Sequence, residues 1–154
     1  MNKAIYFDMD GTVADLYNVI NWLPMLRAEI EKPYEIAEPM VDMTELADIL
    51  RQMKLNGYTV GVISWLSMGS TKSYDKMVRK AKIEWLKKYL NFDFDEIHLV
   101  KYGTPKHRVA KVRKGILVDD NSQVCADWVR YGGKIINAES SEWLNELRGV
   151  VNGK

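Results

Sequence analysis

Short apolar runs alternate along this chain with stretches of helical periodicity. The runs fall at residues 4–7, 58–63, 96–100, 115–118 and 134–137. Between them, apolar positions recur three and four apart, as they do on one face of a helix. Residues 44–56 carry Leu46, Ile49, Leu50 and Met53 in this way. Residues 71–90 carry Met77, Val78, Ala81, Trp85 and Leu86, all expected to point inward. A shorter helix is expected over 122–131, stopped by Gly132 and Gly133, and a terminal one over 141–148 with Trp143, Leu144 and Leu147. Asp42 with Glu45 three residues on forms a capping pair, and Gly57 supplies a stop. Such alternation predicts an open parallel sheet covered by helices.

Residues 15–41 break the alternation. They hold Pro24, Pro33 and Pro39 and the aromatics Tyr17, Trp22 and Tyr34. One reading is a cap-like insert of one or two short helices lying over the strand ends. The other is a crossover that simply packs on the sheet.

Composition narrows the classes. A chain of 154 residues, 47% hydrophobic and 28% charged, fits one globular domain over 1–154. A net charge of +1 gives no field that would recruit nucleic acid or a membrane. Lys87-Lys88 and the basic residues of 111–114 read as solvated faces. The single cysteine, Cys125, excludes an intramolecular disulfide and a cysteine metal cage, and points to a reducing compartment. No apolar run approaches the roughly 20 residues of a membrane span. The start, Met1-Asn2-Lys3, lacks the layout of a signal peptide. A cytoplasmic protein is expected.

Three runs end in polar residues. The first ends Asp8-Met9-Asp10-Gly11-Thr12, the second at Ser64, the fourth at Asp119-Asp120-Asn121. Ligands of parallel α/β sheets bind outside the carboxyl ends of the strands, so a central first run would let these ends converge. Side chains two apart on a strand share a side, about 6.6 Å from each other. Gly11 permits a tight turn and close approach of a ligand. Up to four carboxylates would then face one cleft. Like charges ~4 Å apart repel by about 4 kcal/mol at an effective dielectric near 20. A cation among them, or protonation of some, relieves this. All-oxygen donors favour Mg²⁺, and the lack of clustered His and Cys argues against Zn²⁺. A calcium loop would need a further oxygen donor and a closing Glu, where Thr12 and Val13 stand.

Asp8-Met9-Asp10-Gly11-Thr12 resembles the first signature of the haloacid dehalogenase (HAD) superfamily. Ser64 is similar to the second, Lys106 in Gly103-Thr104-Pro105-Lys106 to the third, and Asp119-Asp120 to the fourth. Together they span nearly the whole chain in order. The resemblance implies an α/β, Rossmann-like core. Its five-stranded parallel sheet has the order 5-4-1-2-3, counting the runs in sequence, with helices on both faces and a small helical insert after the first strand. It implies a phosphoric monoester hydrolase in which Asp8 is the nucleophile and forms an aspartyl-phosphate, while Asp10 is acid and then base. Ser64, the adjacent Trp65, Lys106 and Gly11 would bind the phosphate. Mg²⁺ would be held by Asp8, by Asp10 through its backbone carbonyl, and by Asp119 and Asp120. Ser67 competes with Ser64 for its role and Lys101 with Lys106; His98 reads as a strand residue. Asp10 favours phosphoryl transfer over carbon–halogen cleavage.

Spacing leaves no room for a large cap after Lys106, so 15–41 is the cap candidate and the site should be open. Tyr17, Trp22, Tyr34 and Trp65 near the site suggest stacking on the base of a nucleoside monophosphate. The short early insert resembles the deoxyribonucleotidase branch. The partner is then a small phosphorylated substrate. An open site also admits a polynucleotide end, the one way nucleic acid would enter, and a non-catalytic binding protein of the same fold is the third alternative.

Overall fold

The computed structural model describes residues 3–153. Seven strands and seven α-helices alternate along it. The core strands are β1 (Lys3–Phe7), β4 (Tyr58–Trp65), β5 (Glu96–Val100), β6 (Ile116–Asp119) and β7 (Lys134–Asn137). All pair in parallel, in the spatial order β5-β4-β1-β6-β7. Counted as runs one to five, this is the expected order 5-4-1-2-3. β1 lies at the centre with Ile5 and Tyr6 fully buried, which explains why it reads as a continuous apolar run.

Ile5, Phe7, Val60 and Val62 face a core closed by α3 (Met43–Leu55), α4 (Lys72–Tyr89) and α7 (Trp143–Val151). Ala4, Tyr6, Ile63 and Leu117 face a smaller core with α6 (Ser122–Arg130), beside the short α5 (Lys106–Val109). The caps follow the sequence logic. The Asp42 carboxylate accepts from the N–H groups of Thr44 and Glu45 at 3.0 and 3.1 Å. Asn121 does the same for Gln123 and Val124 at the start of α6.

Two details differ from expectation. Met77 faces out, 44% exposed; Tyr74 and Lys82 take the inward places on α4, beside Val78, Ala81, Trp85 and Leu86. The inward stripe therefore includes a polar member that an apolar count overlooks. β4 also runs two residues further, so Ser64 lies inside the strand, paired with Leu99.

The 15–41 stretch contains two helices, α1 (Trp22–Arg27) and α2 (Lys32–Ile36), after a 3-10 turn at Leu16–Asn18. A two-residue ribbon, β2 (Ala14–Asp15) with β3 (Glu38–Pro39), closes its base. It leans on α4 at several points. Glu29 accepts from the N–H and Oγ1 of Thr71 at 3.1 and 2.7 Å. Tyr74 donates to the Ile30 carbonyl at 3.0 Å, and Trp85 Nε1 to that of Ala37 at 2.8 Å. Among the described residues, no helix is long and apolar enough to cross a membrane.

Candidate active site

The chain runs from β1 to β4 and β5 on one side, then crosses to β6 and β7 on the other, so the sheet reverses direction beside β1. This switch point is where such sheets bind ligands. A cavity of about 380 Å³ opens there, lined by Asp8, Asp10, Trp65, Lys106, Asp119 and Asp120 among others. Six of the expected site residues thus meet. Gly11 and Ser64 lie outside its wall.

The Asp8 turn is built by backbone. Asp8 N–H continues the β1–β6 pairing to the Val118 carbonyl at 2.9 Å. The Met9 carbonyl then accepts from Thr12, Val13 and Ala14. Gly11 adopts φ +81°, and a Cβ there would overlap the Asp120 carboxylate and the Tyr17 ring. Its role is to let the turn pass beneath Asp120.

One carboxylate oxygen each of Asp8, Asp119 and Asp120 lies within 4.8 Å of the others. Lys106 Nζ bridges two of them, at 3.0 Å from Asp8 Oδ1 and 2.7 Å from Asp119 Oδ2. Thr12 Oγ1, fully buried, donates to Asp8 Oδ2 at 3.2 Å. Burial alone would lower the Lys106 pKa, but Asp8 and Asp119 outweigh it and raise it, so the ammonium stays charged. Burial, then Asp8, push Asp119 up to about 6 against the pull of Lys106. Asp120 faces no cationic side chain among the described residues. Burial and Asp8 push it up to about 8. One ammonium for three carboxylates leaves the cluster short of positive charge. The all-oxygen donor set suits Mg²⁺, so Asp8, Asp119 and Asp120 fit the expected ion.

Asp10 lines the cavity, but its carboxylate is not in this cluster. It turns to Lys82 Nζ, 2.9 Å away. Lys82 also donates to Ser64 Oγ at 2.7 Å and to the Trp65 carbonyl at 2.8 Å. Burial raises the Asp10 pKa and Lys82 opposes it. Lys82 is not among the site residues the signatures point to, although a lysine four after Val78 and three before Trp85 stands on an apolar stripe, a legible signal. The signatures give Thr12 no role either.

The competitors fall elsewhere. Ser67 lines the cavity and hydrogen-bonds Tyr34 OH at 2.6 Å. Lys101 is exposed and outside the cavity wall. His98 is a strand residue, with Nε2 2.7 Å from Glu96. All four aromatics singled out, Tyr17, Trp22, Tyr34 and Trp65, line the cavity, joined by Tyr102, which packs on Trp65 at 4.9 Å between ring centroids.

No family model and no curated protein matches the sequence. Solved structures do match the fold. A D,D-heptose 1,7-bisphosphate phosphatase from Burkholderia thailandensis is 11% identical, with a TM-score of 0.59 over 99% of this chain and 97% of its own. A HAD family enzyme from Bacteroides thetaiotaomicron, solved with magnesium and inorganic phosphate, is 11% identical, with a TM-score of 0.51 over 89% and 94% of the two chains. The chain has the fold of HAD phosphatases, the one its four signatures led us to expect.

Proposed function

We propose that this chain is a Mg²⁺-dependent phosphomonoesterase whose preferred substrate is a nucleoside monophosphate. The observation that carries it is the meeting of Asp8, Asp119, Asp120 and Lys106, from three separated parts of the sequence, on one wall of a cavity of about 380 Å³.

In the mechanism, Asp8 attacks phosphorus. The Asp8 oxygen–phosphorus bond forms as the ester oxygen–phosphorus bond breaks, giving an aspartyl-phosphate. Lys106 and Thr12 each hold one oxygen of Asp8, which fixes its line of attack. Asp10 gives its proton to the departing alcohol, then takes one from the water that attacks the aspartyl-phosphate. That second attack frees Asp8 and phosphate. Mg²⁺, when bound, supplies charge stabilisation at the phosphoryl oxygens. Ser64 Oγ accepts from Lys82 and keeps its own O–H proton to donate.

The aromatic wall supports the nucleotide reading, since ring faces stack on any base. A panel of phosphate esters with Mg²⁺ tests both levels. We expect phosphate release, abolished in Asp8→Asn, and higher kcat/KM for nucleoside monophosphates than for sugar phosphates. Equal rates for the two classes defeat the substrate assignment alone. An inert wild type defeats the chemistry.

A second reading, a phosphatase for polynucleotide ends, has one observation in its favour. Residues 101–114 begin at the cavity and carry exposed Lys101, Arg108, Lys111, Arg113 and Lys114 with no acid. Faster turnover of an oligonucleotide end than of the mononucleotide would select it.

A further inference from the structure

Lys82 and Asp119 are the least exposed charged side chains described, at 1% each. A buried ammonium is expensive unless its protons are all used. Here they are, and the partners are informative. One goes to Asp10 Oδ2, one to Ser64 Oγ and one to the Trp65 carbonyl, at 2.7–2.9 Å. The ring of Tyr34, from the insert, covers the ammonium at 4.9 Å from its centroid. Lys82 is absent from the cavity wall. It therefore reaches no substrate itself, but it touches Asp10, which does line the cavity.

We propose that Lys82 is a positioning residue of the reaction, holding the Asp10 carboxylate in the place from which it serves the leaving group. The inference rests on the phosphatase reading above. Without Lys82, Asp10 would keep its chemistry and lose its address. Lys106 cannot substitute, because its ammonium is taken by Asp8 and Asp119.

A loss of this kind has a signature that general destabilisation lacks. An alkyl ester needs a proton on its leaving oxygen; a nitrophenyl ester does not. The experiment compares single-turnover release of alcohol from an alkyl phosphate and from p-nitrophenyl phosphate, with Mg²⁺, for wild type, Lys82→Met, Asp10→Asn and the double variant. We expect Lys82→Met to slow alkyl alcohol release by about 100-fold, within the usual span of general acid catalysis, and nitrophenol release by less than about ten-fold, with KM little changed. Asp10→Asn and the double variant should release the alkyl alcohol at the same rate within about three-fold, because Lys82 acts through Asp10. Equal slowing of both esters, or a double variant more than ten-fold slower than Asp10→Asn, overturns the proposal while leaving the phosphatase reading intact. A wild type inert on both esters overturns that reading and this one together. If Lys82→Met alone does not fold, the comparison of Asp10→Asn with the double variant, which removes both charges, still decides.

Discussion

Asp8 and Asp10 stand two positions apart and face different cations. Asp8 meets Lys106, and Asp10 meets Lys82. In the proposed mechanism that division separates a nucleophile from an acid, and half of it is legible in the sequence. The aspartates follow a buried strand, and Asp8 is itself buried, where carboxylates are unusual. Lys106 follows a Gly-Thr-Pro loop, which marks a helix start. Lys82 hides in a long charged helix among Lys76, Lys80, Lys87 and Lys88, and only its place on the apolar stripe between Val78 and Trp85 sets it apart. Removing Lys106 would leave Asp8 and Asp119 close and unpaired. We expect Lys106→Met to cost about 3–5 kcal/mol, the usual penalty for breaking a buried pair, read from urea unfolding without Mg²⁺. Gly11→Ala should lose activity as well as stability. A left-handed conformation costs an ordinary residue roughly 1–2 kcal/mol, and here the new methyl also displaces Asp120. Circular dichroism melting and phosphate release would show both losses together.

Elements set where these residues go. β1, β4 and β6 each deliver part of the site, because parallel strands bring their carboxyl ends to one edge. Strand existence was plain in the sequence, yet the length of β4 was not. Its last residues, Ser64 and Trp65, pair with Leu99 and Val100, a contact that no local pattern reveals. The neighbouring β5 carries Glu96, buried and bonded to Tyr6 OH at 2.8 Å, His98 Nε2 at 2.7 Å and Lys111 N–H at 3.1 Å. Burial would raise its pKa, but the bonds from His98, Tyr6 and Lys111 outweigh it and lower it below 4.5. A depressed carboxylate stabilises the fold above the pH at which the unfolded chain titrates. The benefit is lost as pH falls through the folded-state value. Glu96→Gln should therefore flatten the decline in stability below pH 4.5, while lowering stability at neutral pH. Denaturant unfolding across pH 3–7 would check it, with ~3 to ~7 chosen to span the carboxylate range.

At the scale of the whole molecule, two lobes of sequence separated by a crossover close on one acid cluster. The cluster is short of cations, so an ion that binds the folded chain alone must stabilise it. At free Mg²⁺ a hundred times its dissociation constant, linkage gives about 2.7 kcal/mol. For a chain of this size that is a rise in melting temperature of roughly 5–10 °C. Thermal unfolding with Mg²⁺ against EDTA should show it, and Asp120→Asn should shrink it. The architecture was readable because runs, helices and signatures agreed across levels. What was not readable was the seat of 15–41, which depends on hydrogen bonds between distant backbone carbonyls and the side chains of Tyr74 and Trp85.

Those hydrogen bonds have a consequence for traffic. The segment overhanging the mouth is stapled to one long helix at Glu29, Ile30 and Ala37. For the proposed phosphatase, a doorway pinned at these points should change little in width between the free and the phosphate-bound protein. Selection would then work as a sieve does, by outline and stickiness of the visitor.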